Sequence, residues 1–201
     1  YENLYTLPLG FVLPYDLADN WQYQMENPAE VQNDLCLLLG TDDVLVPVET
    51  EVSGSGCTFT ADMAGEYYVY IQNKKVKNVK ASLPSGEKNF SNVDRGYLLE
   101  MGNLSEGSRI TLTPGESGET LTAAVYRFSP RAMIQVYDRL SQSPLHLDSW
   151  RDTKLTGTVT AAESGTLFLS ISNNAFSFSY DVCKSLISSI SCFASSTLPS
   201  F

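Results

Sequence analysis

Gly65-Glu66-Tyr67-Tyr68-Val69-Tyr70-Ile71-Gln72 is the stretch that decides the fold. Tyr67, Val69 and Ile71 alternate with Tyr68, Tyr70 and Gln72, and a period of two sends successive side chains to opposite faces of a strand. One face can enter a core while the other offers tyrosines to solvent or to a ligand. Leu121, Ala123 and Val125 repeat the device. Outward from this segment, strands are expected at 44–48, 57–60, 75–83, 97–101, 109–113 and 120–128, each bounded by Gly, Asn, Ser or Pro. Short strands at that spacing, separated by turn residues, make a β-sandwich.

Two helices interrupt the pattern. Asn27-Pro28-Ala29-Glu30 places Asn at the N-cap, Pro at the first helical position and Glu at the third, a variant capping box in which both side chains satisfy orphan amides. That helix should run to about Leu39, with Val31, Leu35 and Leu38 on one face and Gly40 as its stop. Ser129-Pro130 opens a second helix, over about 130–142, which Ser143-Pro144 ends. Before the first helix, Leu7-Pro8-Leu9-Gly10 and Leu13-Pro14-Tyr15-Asp16 break any helix or central strand and leave an extended, aromatic-rich lead-in. After the second helix, 145–147, 154–161 and 166–171 resume the strand pattern, with Glu163-Ser164-Gly165 as a hairpin turn between the last two.

The organisation that follows is a lead-in with a capped helix (1–43), a β-sandwich (44–128), a helix (129–143), an incomplete second β unit (144–172) and a Ser-rich tail (173–201). The fold class is mainly β, built of jelly-roll-like sandwich modules with two short α-helices. No repeat of fixed period is visible.

Composition bounds the function. The 201 residues allow one large domain or two small ones, and 43% hydrophobic against 18% charged residues is a globular balance tilted toward strand. Aspartate and glutamate number 23 against 13 lysines and arginines, a net charge of -10 that repels nucleic-acid phosphates and anionic headgroups alike. No nucleic acid partner is expected. The chain opens at Tyr1 with neither Met nor signal peptide and holds no apolar run near 18 residues, which reads as a soluble piece of something longer. Cys36, Cys57, Cys183 and Cys192 contain no C-x-x-C pair and have only His146 for company, so the usual zinc spacings are excluded and neither a metal nor another cofactor is expected. Cys36 and Cys57 fall in apolar patterns and read as small buried hydrophobes, while Cys183 and Cys192 could pair in an oxidising compartment.

Catalytic motifs are sparse. His146, in Pro144-Leu145-His146-Leu147-Asp148, falls on the polar side of a short strand and reads as an exposed strand histidine. There is no G-x-S-x-G elbow, Walker-type glycine loop or H-E-x-x-H. Glycoside chemistry needs two carboxyls about 5–10 Å apart. Glu26 with Glu30 and Asp16 with Asp19 are the near pairs, but Glu30 has a capping role and the aspartates flank turn residues. Asp42-Asp43 lacks the rest of a calcium loop and reads as solvated. Aromatics on a sandwich face are a platform for sugars, because pyranose faces stack on them. Tyr67, Tyr68, Tyr70, Tyr97 and Trp150 are the candidates, set against the simpler reading that they are packing and edge residues. The sequons at Asn89 and Asn103 mark places that look like turns.

Several blocks, in order, carry a family resemblance. Tyr1-Glu2-Asn3 with Leu7-Pro8-Leu9-Gly10-Phe11, then Glu26-Asn27-Pro28 with Gln32-Asn33 and Leu39-Gly40, resemble the start of the extracytoplasmic C-terminal region of YfhO-type bacterial membrane proteins. Gly65 to Ile71, Gly96-Tyr97-Leu98-Leu99 with Gly102-Asn103-Leu104, and Asp152-Thr153 with Gly157 and Gly165 to Ile171 continue the likeness through about residue 172. The resemblance implies a polytopic parent similar to C-type glycosyltransferases that use a lipid-linked sugar, acting on lipoteichoic acid or related envelope polymers. It implies an extracytoplasmic location, the membrane domain of the same parent chain as a partner, and an envelope polymer or sugar as another. The family's catalytic acid lies among its membrane helices, so no catalytic residue carries over to this chain, and the role expected of it is to position or recognise the acceptor polymer. The alternatives are an independent carbohydrate-binding module and a structural brace for the membrane domain. Where the family continues with a Gly-aromatic pair and an Asp-Gly hairpin, this chain has Ser172-Asn173-Asn174 and the Ser-rich tail. The expectation is a reading frame lost between about 173 and 180, a final sheet short of partner strands and a poorly packed tail.

Overall fold

The computed structural model describes residues 9–151, 154–161, 164–169, 179–182 and 188–193. In chain order these form β1 (Gly10–Pro14), α1 (Tyr15–Asn20), α2 (Pro28–Leu38), β2 (Leu45–Val48), β3 (Glu51–Ser53), β4 (Gly56–Thr60), β5 (Gly65–Ile71), β6 (Asn78–Leu83), β7 (Gly86–Ser91), a 3₁₀ turn (Val93–Arg95), β8 (Leu99–Leu104), β9 (Arg109–Pro114) and β10 (Ala123–Phe128). After these come α3 (Pro130–Leu140), β11 (Leu145–Arg151), β12 (Lys154–Val159), β13 (Gly165–Leu169), β14 (Ser179–Val182) and β15 (Ser188–Phe193). The chain divides into two compact units: Gln22–Ala132, and a discontinuous one of Tyr1–Trp21 with Met133–Phe201.

The continuous unit is a sandwich of a four-stranded sheet, β2-β10-β5-β8, and a five-stranded sheet, β3-β4-β9-β6-β7. With β3 set aside as an added edge strand, the remaining strands numbered in chain order run 1-8-3-6 and 2-7-4-5. This is jelly-roll order, two Greek keys folded into facing sheets. The core lies between the sheets. Tyr67, Val69 and Ile71 of β5, Leu99 and Met101 of β8 and Val125 of β10 meet Cys57 and Phe59 of β4, Val79 and Ala81 of β6, and Ile110 and Leu112 of β9. Phe59 and Tyr67 stack across it with ring centroids 5.9 Å apart. Cys36 and Cys57 are buried free thiols, as their apolar surroundings suggested.

Both expected helices form. Asn27 Oδ1 accepts from the Ala29 N–H at 3.0 Å. Glu30 departs from the expected box: its carboxylate accepts from the Asn27 side-chain amide at 3.1 Å instead of from a backbone N–H. Gly40 ends α2 with a φ of 66°, a left-handed conformation that glycine adopts without strain. At α3, the Ser129 hydroxyl accepts from the Ala132 N–H at 3.3 Å.

Elsewhere the structure differs from the sequence reading. The lead-in is not merely extended: Gly10–Pro14 is a strand and Tyr15–Asn20 a third short helix. Pro14 breaks neither element and lies at the junction of β1 and α1, while Pro8 falls outside the described residues. β12 and β13 are not a hairpin. β12 pairs with β11 and β15, and β13 pairs with β1 and β14, in separate three-stranded sheets. Two glycines let β1 and β13 meet closely, since a Cβ on Gly165 would fall 2.1 Å from the Leu13 carbonyl oxygen and one on Gly10 would fall 2.8 Å from Leu169 Cδ2. The sequon asparagines lie in strands β7 and β8, not in turns. In the tail, β14 and β15 supply β13 and β12 with the partner strands that were expected to be missing. Open strand edges are templates for any extended segment that can reach them, and Ile190 and Cys192 alternate with serines in β15. The frame-loss reading falls otherwise on residues outside those described, as does Cys183.

Candidate functional site

The outer face of the four-stranded sheet is where the sequence placed its tyrosines, and α2 covers part of it. Asn27 ties helix to sheet: its side-chain amide donates to the Tyr126 hydroxyl at 2.7 Å, with Asn27 only 4% exposed. Asn33, six residues further on in α2, holds both backbone groups of Leu45 in β2, its amide donating to the Leu45 carbonyl at 2.7 Å and its oxygen accepting from the Leu45 N–H at 3.1 Å. Beside these clamps runs a groove of about 610 Å³ lined by Glu30, Asp34, Leu37, Asp43, Pro47 and Tyr126, among others. Its walls are apolar at the sheet and acidic at the helix.

The register fixes what the sheet presents. Tyr126 of β10 stands opposite Pro47 on one side and Tyr68 of β5 on the other, and Tyr68 stands opposite Glu100 of β8. Tyr68 is half-buried and donates to Glu66 Oε1 at 2.8 Å. Burial first, then that hydrogen bond and the charges of Glu66 and Glu100, push its pKa up to about 12, so the phenol remains a hydrogen-bond donor at any physiological pH. Past Tyr68, β8 takes an extra residue: Tyr67 pairs with Gly102 and Tyr68 with Glu100, so Met101 bulges. Lys88 of β7 caps that bulge, its ammonium donating to the Glu100 and Met101 carbonyls at 3.3 and 3.1 Å.

The five aromatic candidates do not share one surface. Tyr67 is fully buried, and its one hydroxyl proton is shared between two acceptors, Asp62 Oδ1 and the Met63 carbonyl, at 2.6 and 2.7 Å. Tyr70 is 3% exposed, donates to the Glu26 carbonyl at 3.2 Å and accepts from Lys74 Nζ at 2.6 Å, with that ammonium 4.4 Å from its ring centroid. Tyr97 is 41% exposed, its hydroxyl braced on the Ser91 carbonyl at 2.7 Å. Trp150 belongs to β11 of the other unit, and its side chain lies outside what the structure describes. Tyr68 and Tyr70 thus belong to the outer face, whereas Tyr97 lies in the connection before β8 and bonds to β7 of the facing sheet.

His146 is exposed in β11. Among the described residues no three His, Cys, Asp or Glu side chains converge as metal ligands would. Periodicity could not find Tyr126, the acids of the groove or the basic residues near Tyr97, because none interrupts a hydrophobic pattern. The signal that could have found them is the order of charge along the chain: residues 1–73 contain no lysine or arginine, and Lys74 is the first.

A comparison with family models matches residues 48–175 to the family described as bacterial membrane protein YfhO. The chain belongs to the YfhO family. The match begins at the last residue of β2 and continues through the rest of the jelly roll, α3 and β11 to β13, so the sheet side of the YfhO groove lies largely within it and α2 lies before it. No curated protein and no solved structure matches the chain. Among the described residues of this YfhO chain, no helix is long and apolar enough to cross a membrane.

Proposed function

We propose that the chain is the extracytoplasmic, non-catalytic part of a YfhO-type polytopic protein that takes part in glycosylating lipoteichoic acid or a related cell-envelope polymer, where it positions the acceptor for the membrane domain of the same parent chain. The observation that carries this reading is the family match over residues 48–175, which spans strands of both units. An independent sugar-binding module would need several aromatic faces open to solvent. With Tyr67 and Tyr70 buried, that alternative has less support than a part that serves the membrane domain.

The location is tested in the parent protein by Val52→Cys, since Val52 is 82% exposed at a sheet edge while Cys36 and Cys57 are buried. A membrane-impermeant maleimide should label the variant on intact cells above the level of the parent without it. Labelling that needs lysis overturns the reading. The polymer role is tested by deleting the gene and measuring glycosyl substituents on the isolated polymer: their loss, restored by the intact gene, is expected, and an unchanged polymer refutes it.

A further inference from the structure

Charge is sorted within the jelly roll. Its α2–β2 side contributes Glu26, Glu30, Asp34, Asp42 and Asp43 with no lysine or arginine before residue 74, whereas Lys74, Lys75, Lys77, Lys80, Lys88 and Arg95 fall in the short span that forms the β5–β6 loop, the β6–β7 hairpin and the 3₁₀ turn. Two of these cations are committed: Lys80 pairs with Glu87 at 2.6 Å, and Lys88 caps the β8 bulge. Lys74 is held on Tyr70. Lys75, Lys77 and Arg95 are exposed and make no side-chain hydrogen bond or ion pair among the described residues.

These three are held in one corner by a rigid backbone. Val76 and Val93 are both fully buried, so Lys75 and Lys77 flank one inward anchor and Arg95 lies two residues beyond the other. The Val93 N–H donates to the Lys77 carbonyl at 3.0 Å, which fastens the turn to the loop. Asn92, at φ 59°, is the one non-glycine residue with positive φ among those described, and Gly96, at φ 79°, closes the turn. Asparagine enters the left-handed region more readily than other residues with a Cβ, so Asn92 and Gly96 encode this turn locally. Tyr97 follows directly, its ring exposed and its hydroxyl fixed on Ser91. Two carboxylates share this region and keep their charge: Glu116, which accepts from the Lys77 and Asn78 N–H groups and the Asn78 amide at 3.2, 3.4 and 2.8 Å, and Asp94, within the turn itself. Lys74, Lys75, Lys77 and Arg95 outnumber them.

We infer that Lys75, Lys77 and Arg95 form a preorganised corner that binds the phosphodiester groups of a thread-like anionic polymer, with Tyr97 packing against the carbon skeleton between phosphates. The choice of polymer rests on the proposed function, and the cation cluster itself does not. A thread is favoured over an anionic membrane because a flat surface meets the field of the whole chain, net -10, whereas a thread can touch the basic corner alone.

The test titrates a synthetic oligo(glycerol phosphate) into the chain at low salt and follows the Tyr97 and Arg95 NMR signals. Saturable binding that weakens with added salt is expected. Lys75→Gln/Lys77→Gln/Arg95→Gln should weaken it about tenfold, since three exposed ion pairs are removed. Arg109→Gln/Arg131→Gln, which removes charge elsewhere, should leave it unchanged. No saturable binding by the parent chain, an undiminished triple variant, equal loss in the control, or equal binding to phosphatidylglycerol vesicles would each overturn the inference. The Val52→Cys labelling fails separately: a corner that binds in a protein labelled only after lysis would refute the location and leave the corner standing.

Discussion

Asn27 joins three things that are otherwise independent, namely the start of α2, the Glu30 carboxylate and the buried Tyr126 hydroxyl. Truncation to alanine removes an N-cap, worth about 1 kcal/mol. It also strips the Tyr126 hydroxyl, on a residue 4% exposed, of its donor, which costs a further ~1–2 kcal/mol as an unsatisfied polar group. Asn27→Ala should therefore destabilise the jelly roll by about 2–3 kcal/mol. Tyr126→Phe alone should cost about 1 kcal/mol, because Asn27 keeps Ala29 and Glu30 as partners. Once Tyr126 is phenylalanine, Asn27→Ala loses only the cap, so the double variant should be less destabilised than the sum of the singles by about 1 kcal/mol. Urea unfolding followed through the exchange-protected amides of β5 and β10 is the suitable assay. Tryptophan fluorescence is not, since Trp21 and Trp150 both belong to the other unit. Additivity within about 0.3 kcal/mol would refute the claim that the 2.7 Å contact couples helix to sheet.

Three further outcomes follow from the geometry. Phe59→Ala, at a position 2% exposed and stacked on Tyr67, should cost about 3–5 kcal/mol by urea denaturation, and a loss below about 1 kcal/mol would mean that the two sheets do not share this core. Gly165→Ala puts a Cβ 2.1 Å from the Leu13 carbonyl, so β1 must part from β13; the Trp21 ring, edge-on to Phe168 at 5.0 Å, should change its emission, and an unaltered spectrum and melting temperature would contradict the pairing. Tyr68 titrates higher folded than its ordinary 10, at about 12, so it favours the fold fully below pH 10 and that contribution is lost as pH rises from 10 through 12. Tyr68→Phe should reduce the fall in stability across that window without abolishing it, since Tyr67 and Tyr126 are raised as well, and an unchanged slope would refute the assignment.

The jelly roll was legible because its central strands obey a period of two that survives any sequence context. Tyr67, Val69 and Ile71 face inward, as their spacing demands. Helix α2 was legible from Asn27, Pro28 and Gly40, three residues whose backbone roles are local. β7 was not, because Gly86 to Ser91 is nearly all exposed and polar, and its pairing comes from the hairpin that returns it along β6. β1 escaped for the opposite reason: its partner is β13, far along the chain, and no local pattern encodes so distant a pairing. The candidate site was half visible. Alternation set Tyr68 on the outer face, yet it also promised an open Tyr70, which Lys74 and the Glu26 carbonyl cover through loop contacts that periodicity does not report.

The pairing of β1 with β13 also sets an order of events. Residues 10–14 leave the ribosome before 165–169 and must wait for them, with the whole jelly roll synthesised between. Closing a flexible loop as long as residues 22–132 would cost on the order of 4 kcal/mol of chain entropy. If the sandwich folds first, much of that cost is met by its own core, and the distance between its chain ends becomes fixed by structure instead of by diffusion. The inserted unit then acts as a template for the assembly of its host. Mutations that slow the jelly roll should delay formation of the β1–β13 sheet, even though they change no residue of that sheet.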